Sequence, residues 1–321
     1  MESRLNPINS KRGWIGRPRV GERGVGRVLV LLSAVGFGTI GIFAKVAYGA
    51  GVDAPLLLSL RFLVAGAALW IFFLLFKRNV IRIGLKDLLI CAALGLAGYG
   101  IFSTLTFEAF ELLPASVVGP LFFSYPPFVL LIDWVLTKER PDWRLSMGAM
   151  IILSGIGVAV HSSLSDGSVV GLLLALGGAG WYAAYVVATR RLMVNVRPQT
   201  VALYVTSFAA VGFWLMGGPV ISRLHLVTGW TWVVVLAIGL VSTVMALLSF
   251  FYGLEKLGSA EASQIGAFEL PLSLALSAFV LREQISLPLL AGTALILTGI
   301  LAGQSRFIER TNRREEALCE S

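Results

Sequence analysis

Apolar residues along this chain fall into ten long runs separated by short polar connections. A bilayer core about 30 Å thick takes roughly 20 helical residues at 1.5 Å each, which matches these runs. Backbone polar groups in lipid must pair within a helix or a closed barrel, and the runs lack the strict alternation of barrel strands. The pattern predicts an all-α polytopic membrane protein with ten transmembrane helices. The predicted spans are 28–49, 54–76, 88–107, 115–137, 145–162, 168–189, 199–221, 230–252, 262–281 and 287–304.

Composition agrees with this class. Of the 321 residues, 57% are hydrophobic and 14% are charged, whereas a soluble domain carries about a quarter charged residues. These fractions exclude an ordinary water-soluble globule. The connections between the runs are also too short to form a separate soluble domain.

The net charge of +8 is mostly a signal of membrane topology. When the N-terminus is placed in the cytoplasm, 22 of the 26 Lys and Arg residues lie on that side, and only Arg223 and Arg282 lie on the other. Because basic residues near span ends are retained in the cytoplasm, we expect both termini to be cytoplasmic. We expect a small-molecule substrate and the lipid bilayer as partners, no nucleic acid, and a monomer or weak dimer.

The second half of the chain repeats the first at an offset of 144 residues. The matched pairs include Glu111 with Glu255, Leu113 with Leu257, Pro127 with Pro271, Glu139 with Glu283, Gly148 with Gly292 and Gly155 with Gly299. Each half has five spans, an odd number, so the second copy is expected to lie inverted in the membrane. The predicted organisation is a basic cytoplasmic segment 1–27, a first five-helix repeat 28–162, a second repeat 168–304 and a cytoplasmic tail 305–321.

These features resemble the drug/metabolite transporter superfamily of EamA type over residues 28–304. The resemblance is carried by an Arg-Phe pair early in the second span and by a proline, an acidic residue and two glycines that close each half. These residues are Arg61, Phe62, Pro127, Glu139, Gly148, Gly155, Pro271, Glu283, Gly292 and Gly299. Among the exporters of this superfamily, the chain is most similar to the bacterial aromatic amino acid exporters, through Tyr99, Trp181, Ala183, Ala184 and Tyr185.

The resemblance implies a secondary transporter of a bacterial-type cytoplasmic (inner) membrane. Such a protein exports small metabolites by alternating access around a central cavity between the repeats. Amino acids, including aromatic or large apolar ones, are the expected substrates. Drug carriers and carriers of nucleotide sugars or sugar phosphates share the fold and are the alternatives.

A membrane enzyme or a channel would be a different class of protein. An enzyme needs a catalytic cluster, but the sequence contains no metal-ligand, nucleophile or P-loop motif, and its two histidines lie near span ends. We therefore expect no enzymatic activity, no metal and no cofactor. A channel differs from a carrier in its lack of saturable flux.

Two charged residues lie deep inside predicted spans, where an unpaired charge is costly. Glu269 is interpreted as a group that carries a proton or binds a substrate amine, with a structural acid as the alternative. Arg61 is a candidate charge partner for a substrate carboxylate, or a tie between helices. Pro127 and Pro271 occupy matching positions near mid-membrane and are predicted to be hinges, because proline removes a helical hydrogen bond.

Aromatic and small polar side chains are the other candidates for a central cavity. The candidate set is Phe37, Thr39, Tyr99, Ser103, Tyr125, Trp181, Tyr182, Tyr185, Ser242, Gln264 and Glu269. Gly155, Gly299 and Gly303 lie at spacings that let the fifth and tenth helices approach closely. A further run, Gly36, Gly38 and Gly41, satisfies G-x-G-x-x-G but lies inside an apolar span, so it indicates flexibility or tight packing rather than a dinucleotide site.

Overall fold

The computed structural model describes residues 20–163, 168–216 and 220–319. Most of the predicted segment 1–27 and the side chains of the predicted tail 305–321 lie outside the described residues. The regular secondary structure within the described ranges is helical. The main helices are α1 (Val20–Gly38 and Ile40–Gly49), α2 (Ala54–Phe76), α3 (Leu85–Leu112), α4 (Ala115–Phe122 and Tyr125–Thr137), α5 (Trp143–Ser163), α6 (Val169–Leu192), α7 (Pro198–Met216), α8 (Gly229–Leu257), α9 (Ser259–Gly266 and Glu269–Val280) and α10 (Leu287–Cys319).

The number of helices able to cross a membrane differs from the predicted ten. Within the described residues, eight helices are long and apolar enough, and a ninth is counted if Pro198–Leu215 and Val220–Leu226 form one span across a bend of 79°. The apolar part of α10, Leu287–Gly303, is shorter than a full span. The chain is therefore a polytopic helical membrane protein with eight to nine candidate spans. The count is lower than ten because two of the ten predicted runs lie on a bent or a short helix.

The two faces of the bundle are defined by contacts between helix ends. On one, here termed the Arg190 face, Asp133 at the end of α4 pairs with Arg190 and Arg191 at the end of α6. The starts of α7 and α9 lie on the same face, because Gln199 donates to Glu255 at the end of α8, which leads directly into α9. The opposite face is termed the Glu283 face.

On the Glu283 face, carboxylates at helix N-termini connect neighbouring helix ends. Asp53 caps α2 by accepting a hydrogen bond from the Leu56 N–H at 3.2 Å and pairs with Arg223 at 2.5 Å. Glu283, in the connection after α9, accepts hydrogen bonds from the first two N–H groups of α4. Such carboxylates satisfy N–H groups that have no partner within their own helix.

Helix packing follows the repeat. The pairs α1 with α8, α3 with α6, α2 with α7 and α5 with α10 are all in contact. The counterpart of each helix in the first half is the helix numbered five higher in the second half. The pairs α2–α7 and α5–α10 therefore each join two counterparts. The pair α1–α8 is related by the repeat to the pair α6–α3.

Glycines hold α5 and α10 together at backbone distance. A β-carbon on Gly155 would lie 2.6 Å from the Gly292 carbonyl oxygen, and one on Gly299 would lie 2.7 Å from that of Gly148. Gly148, nearer the start of α5, meets Gly299, whereas Gly155, further along α5, meets the earlier Gly292 of α10. The order of the contacts is reversed, so the two helices are antiparallel. Gly303 packs its backbone beside Gly148, although its own β-position is open.

Four of the helices, which form two pairs of counterparts, are interrupted near their middle, and α1 has a further break at Thr39. In α3 and α8, the segments Leu94–Tyr99 and Leu240–Met245 have π-helical geometry. In α4 and α9, the helix ends at Phe122 and Gly266 and resumes at Tyr125 and Glu269. The last two interruptions lie four residues before Pro127 and Pro271, which have no N–H to donate to the carbonyls of residues 123 and 267. Interruptions therefore recur at corresponding places in both halves.

We expect Gly155→Ala to destabilise the protein, because the added methyl would meet backbone rather than a flexible side chain. Overpacking of this kind costs about 1–3 kcal/mol. Gly157→Ala is the matched control on the same helix, since nothing lies within 4 Å of its β-position. The thermal unfolding midpoint in detergent should fall for Gly155→Ala only. Equal midpoints for the two variants would contradict the backbone contact.

Candidate functional site

A cavity of about 310 Å³ lies between α1, α3, α6, α7 and α8. Its deep end is formed by Phe37, Tyr99, Tyr185 and Thr243, and it extends to the connection between α6 and α7, at the Arg190 face. The remaining wall is mostly apolar. It consists of Thr189, Arg190, Met193, Val196, Pro198, Val201, Ala202, Val205, Thr206, Leu247 and Phe251. The volume is at the lower end of the range for small-molecule sites.

Arg61 lies directly behind this wall. The residue is only 3% exposed, and its Nε donates to Thr243 Oγ1 at 2.9 Å. The Phe62 and Phe107 rings lie beside the guanidinium, each with its centroid 5.1 Å from Cζ. Within the described part of the chain, no carboxylate forms an ion pair with it. A buried cation without a counter-ion is costly, so this end of the cavity favours an anionic group.

The π-helical segment of α8 positions the polar groups at this end. It frees the Ile238 carbonyl, which accepts a hydrogen bond from Thr243 Oγ1 at 2.8 Å. Next to it, the buried Ser242 hydroxyl lies 2.7 Å from Thr39 Oγ1 at the break in α1. Thr39 donates to the Gly36 carbonyl, so Ser242 is the donor between the two hydroxyls.

The first-helix glycines permit close packing around the same place. A β-carbon at Gly36 would lie 2.9 Å from the Val241 carbonyl oxygen in the π-helical segment. One at Gly41 would lie 2.8 Å from the Phe110 ring, and one at Gly38 would lie 3.5 Å from the Glu269 carbonyl oxygen. The run therefore brings α1 against three other helices, as the tight-packing interpretation predicts.

An aromatic cluster joins the cavity to the interrupted helices α4 and α9. Tyr99 contacts Tyr185 edge-on at 5.6 Å, and Tyr182 lies 5.9 Å from Tyr185 and 5.1 Å from Tyr125. Phe102 and Phe122 fill the space around Tyr182, with centroids 4.9 and 5.0 Å away. Edge-on and tilted pairs at these distances are favourable.

Glu269 lies at the far end of this cluster. It is the first residue of the second half of α9, and its carboxylate interacts electrostatically with the hydroxyls of Tyr125 and Tyr182. It forms no ion pair among the described residues and does not line the cavity. The structure thus places the acid and Arg61 in separate surroundings.

The other predicted cavity residues lie elsewhere. Trp181 is 42% exposed, donates to the Ala97 carbonyl at 2.8 Å and lines an outer groove between α3 and α6. Ser103 is buried, with no hydrogen-bond partner for its hydroxyl among the described residues. Gln264 is partly buried in the first half of α9. None of these three lines the cavity.

Several cavity residues are absent from the predicted set, above all Thr243, Thr206, Leu247 and Phe251. Phe251 carried a signal in the sequence, since it is the repeat partner of Phe107. Thr243 carried none, because regular helical spacing does not anticipate a π-helical segment.

A helical membrane bundle with interrupted helices around a cavity of few polar groups defines a membrane transporter of small molecules. The chain belongs to the EamA-like transporter family, whose model matches residues 24–160 and 169–302. These two matches coincide with the two halves of the repeat. The predicted EamA type and the absence of an enzymatic role are confirmed.

Relatives in three organisms share this class. An uncharacterized transporter of Archaeoglobus fulgidus is 26% identical over 270 residues, covering 80% of this chain and 91% of the relative. The uncharacterized transporter YvbV of Bacillus subtilis is 31% identical over 199 residues, 59% of this chain and 62% of the relative. A biotin transporter of Salmonella typhimurium is 25% identical over 223 residues, 67% of this chain and 74% of the relative.

One protein of known crystal structure has the same fold. It is 23% identical and superposes with a TM-score of 0.61 over 91% of this chain and 99% of the other. At this identity the likeness shows the fold alone.

Thr243→Val tests the link between Arg61 and the cavity wall. The substitution keeps the shape of the side chain and leaves the Arg61 Nε without its acceptor, so we expect a loss of about 1–3 kcal/mol in stability. Thr293→Val is the control, because that buried hydroxyl bonds only the Leu289 carbonyl of its own helix. Unfolding in detergent should distinguish the two, and equal stability would contradict the role of Thr243.

Proposed function

We propose that this transporter exports amino acids with large apolar or aromatic side chains by alternating access. Ten spans in two inverted repeats, 28–162 and 168–304, surround the site, and both termini lie in the cytoplasm of a bacterial-type cell. The observation that carries the substrate class is the cavity itself, which combines aromatic and aliphatic walls with a buried cation behind its deep end.

Inversion of the repeats is supported by the antiparallel contact between α5 and α10. These helices are counterparts in the two halves, and their glycines meet in reverse order. Counterparts that run antiparallel belong to units of opposite orientation. The bend in α7 and the short apolar part of α10 are compatible with spans that are completed by neighbouring helices.

A cytoplasmic Arg190 face is supported by charge. The connections after α2, α4 and α6 lie there and carry most of the basic residues outside the N-terminal segment and tail. Basic residues in short loops are retained in the cytoplasm. The cavity then faces the cytoplasm, the compartment from which an exporter takes its substrate.

The two ends of the cavity suit the two ends of such a substrate. Phe37, Tyr99, Tyr185 and Phe251 offer apolar contact to a large side chain. Arg61, which Thr243 holds directly behind the wall, offers a buried positive charge to a carboxylate at this end. Biotin also combines an apolar body with a carboxylate, and the relationship to a biotin transporter makes it the second candidate substrate.

Expression in cells that lack amino acid exporters should raise their resistance to toxic analogues of aromatic amino acids. Proteoliposomes should take up radiolabelled phenylalanine saturably, and unlabelled amino acids should compete. Biotin is included in the same panel, and competition by biotin without competition by amino acids would assign the second candidate. Unchanged sensitivity and no saturable uptake, at verified expression, would refute amino acid export.

Glu269 is proposed as the group that couples transport to protons. It is an acid without an ion-pair partner among the described residues, it lies at a helix break, and the Tyr125 and Tyr182 rings extend from its surroundings to Tyr185 in the cavity wall. A carboxylate in such a position can exchange a proton as the helices move. Its separation from the cavity favours this role over binding of a substrate amine.

Glu269→Gln keeps the shape of the side chain and removes its charge. We expect the variant to exchange substrate across the membrane of proteoliposomes but to lose accumulation driven by a pH gradient. Tyr125→Phe, which removes only a hydroxyl beside the same acid, should retain most of the gradient-driven uptake. Wild-type flux with wild-type pH dependence in Glu269→Gln would make the residue a structural acid.

A further inference from the structure

One carboxylate ties the two repeats together at the Glu283 face. The two oxygens of Glu283 accept hydrogen bonds from the backbone N–H groups of Ala115 and Ser116, each at 2.8 Å. These are the first residues of α4, where the helix dipole attracts negative charge. Lys45 on α1 also interacts electrostatically with Glu283. The second repeat thus caps a helix of the first.

The same turn occurs in the first repeat, where its glutamate is exposed. Lys138 and Arg282 both have left-handed backbone conformation, with φ of 57° and 55°, and each is followed by a glutamate. Glu139 is exposed, whereas Glu283 is half-buried. The 144-residue offset makes residues 259 and 260, at the start of α9, the counterparts of Ala115 and Ser116.

Glutamates that bond within one repeat behave differently, since both copies have a partner. Glu111 accepts from the backbone N–H of Ala54 at the start of α2, and its repeat partner Glu255 accepts from the side-chain amide of Gln199 at the start of α7. The halves are therefore alike in these contacts inside a repeat. They differ in the glutamates that follow α4 and α9, of which Glu283 is bonded across the repeats and Glu139 is exposed.

The exposed glutamate lies at the face that the cavity reaches, and the bonded glutamate lies at the opposite face. The cavity extends to the Arg190 face, where Glu139 is exposed. On the opposite face Glu283 is bound, and the cavity does not reach it. When one repeat rocks against the other, contacts between the repeats at the closed face must break for that face to open.

We propose that Glu283 and Glu139 are alternating latches that set which face of the cavity is open. Glu283 accepts hydrogen bonds from the start of α4 while the Arg190 face is open. Glu139 accepts hydrogen bonds from the start of α9 when the opposite face is open. This rests on the proposed alternating access, but not on the identity of the substrate.

Distances between spin labels test the latches without any substrate. In a full-length background with both cysteines replaced by alanine, one label pair at residues 112 and 284 reports the Glu283 face. A second pair at residues 140 and 256 reports the Arg190 face. Pulsed electron resonance in nanodiscs gives the distance distribution for each pair.

Glu283→Gln should shift the 112–284 distribution to longer distances and the 140–256 distribution to shorter ones. Ala115→Pro should shift them in the same direction, since it removes one donor at a first helical position where proline is tolerated. Its predecessor Pro114 already has an extended ψ of 147°. Glu139→Gln should sharpen the wild-type distributions.

Glu111→Gln is the matched control, because it weakens a carboxylate cap on the same face inside one repeat. It should leave both distributions unchanged. The latch is refuted if Glu283→Gln and Ala115→Pro give the same distributions as Glu111→Gln. If amino acids are not transported but the expected distance changes are observed, the proposed substrate class is refuted and the latch proposal stands.

Discussion

A backbone carbonyl that loses its helical partner inside a membrane has no water to replace it, and the interior of this protein depends on that constraint. At three interruptions a side chain donates to a backbone carbonyl beside the irregular turn. Thr39 bonds Gly36 in α1, Trp181 bonds Ala97 in the π-helical segment of α3, and Thr243 bonds Ile238 before that of α8. Side-chain donors thus supplement the backbone hydrogen bonds where these three helices are irregular.

The role of Trp181 follows from the same constraint. Its indole was predicted to face the substrate, whereas its ring lies in the outer groove and its N–H satisfies the Ala97 carbonyl. A tryptophan at the membrane side of a helix pair can supply both apolar surface and a donor. The residue therefore supports the irregular geometry of α3 beside Tyr99, which does line the cavity.

Much of the fold was predictable because apolar length and repeat register are properties of sequence alone. The glycines of α5 and α10, the prolines four residues after the breaks and the glutamates after the left-handed turns all appeared in the pairing at 144 residues. The bend in α7 was not predictable from hydropathy, since it keeps an apolar composition on both sides.

The site was predictable only in part, for a geometric reason. Regular helical spacing selects Ser242, but the π-helical segment adds a residue to the turn, and Thr243 lines the cavity instead. Tyr125, Tyr182 and Glu269 were predicted to share one cavity with Phe37 and Tyr185, yet they lie across the aromatic cluster from the cavity that those two residues line. Sequence periodicity predicts which residues share a face of a helix. It does not predict whether a cluster of aromatic rings will separate that face from the face of another helix.

The glycine contact between α5 and α10 has a consequence for the symmetry of the packing. Gly148 meets Gly299, and their repeat partners Gly292 and Gly155 meet in the same way. This reciprocity is the signature of an isologous interface, in which one surface binds a second copy of itself. The contact therefore has the self-complementary geometry of a homodimer interface, although both of its surfaces belong to one chain.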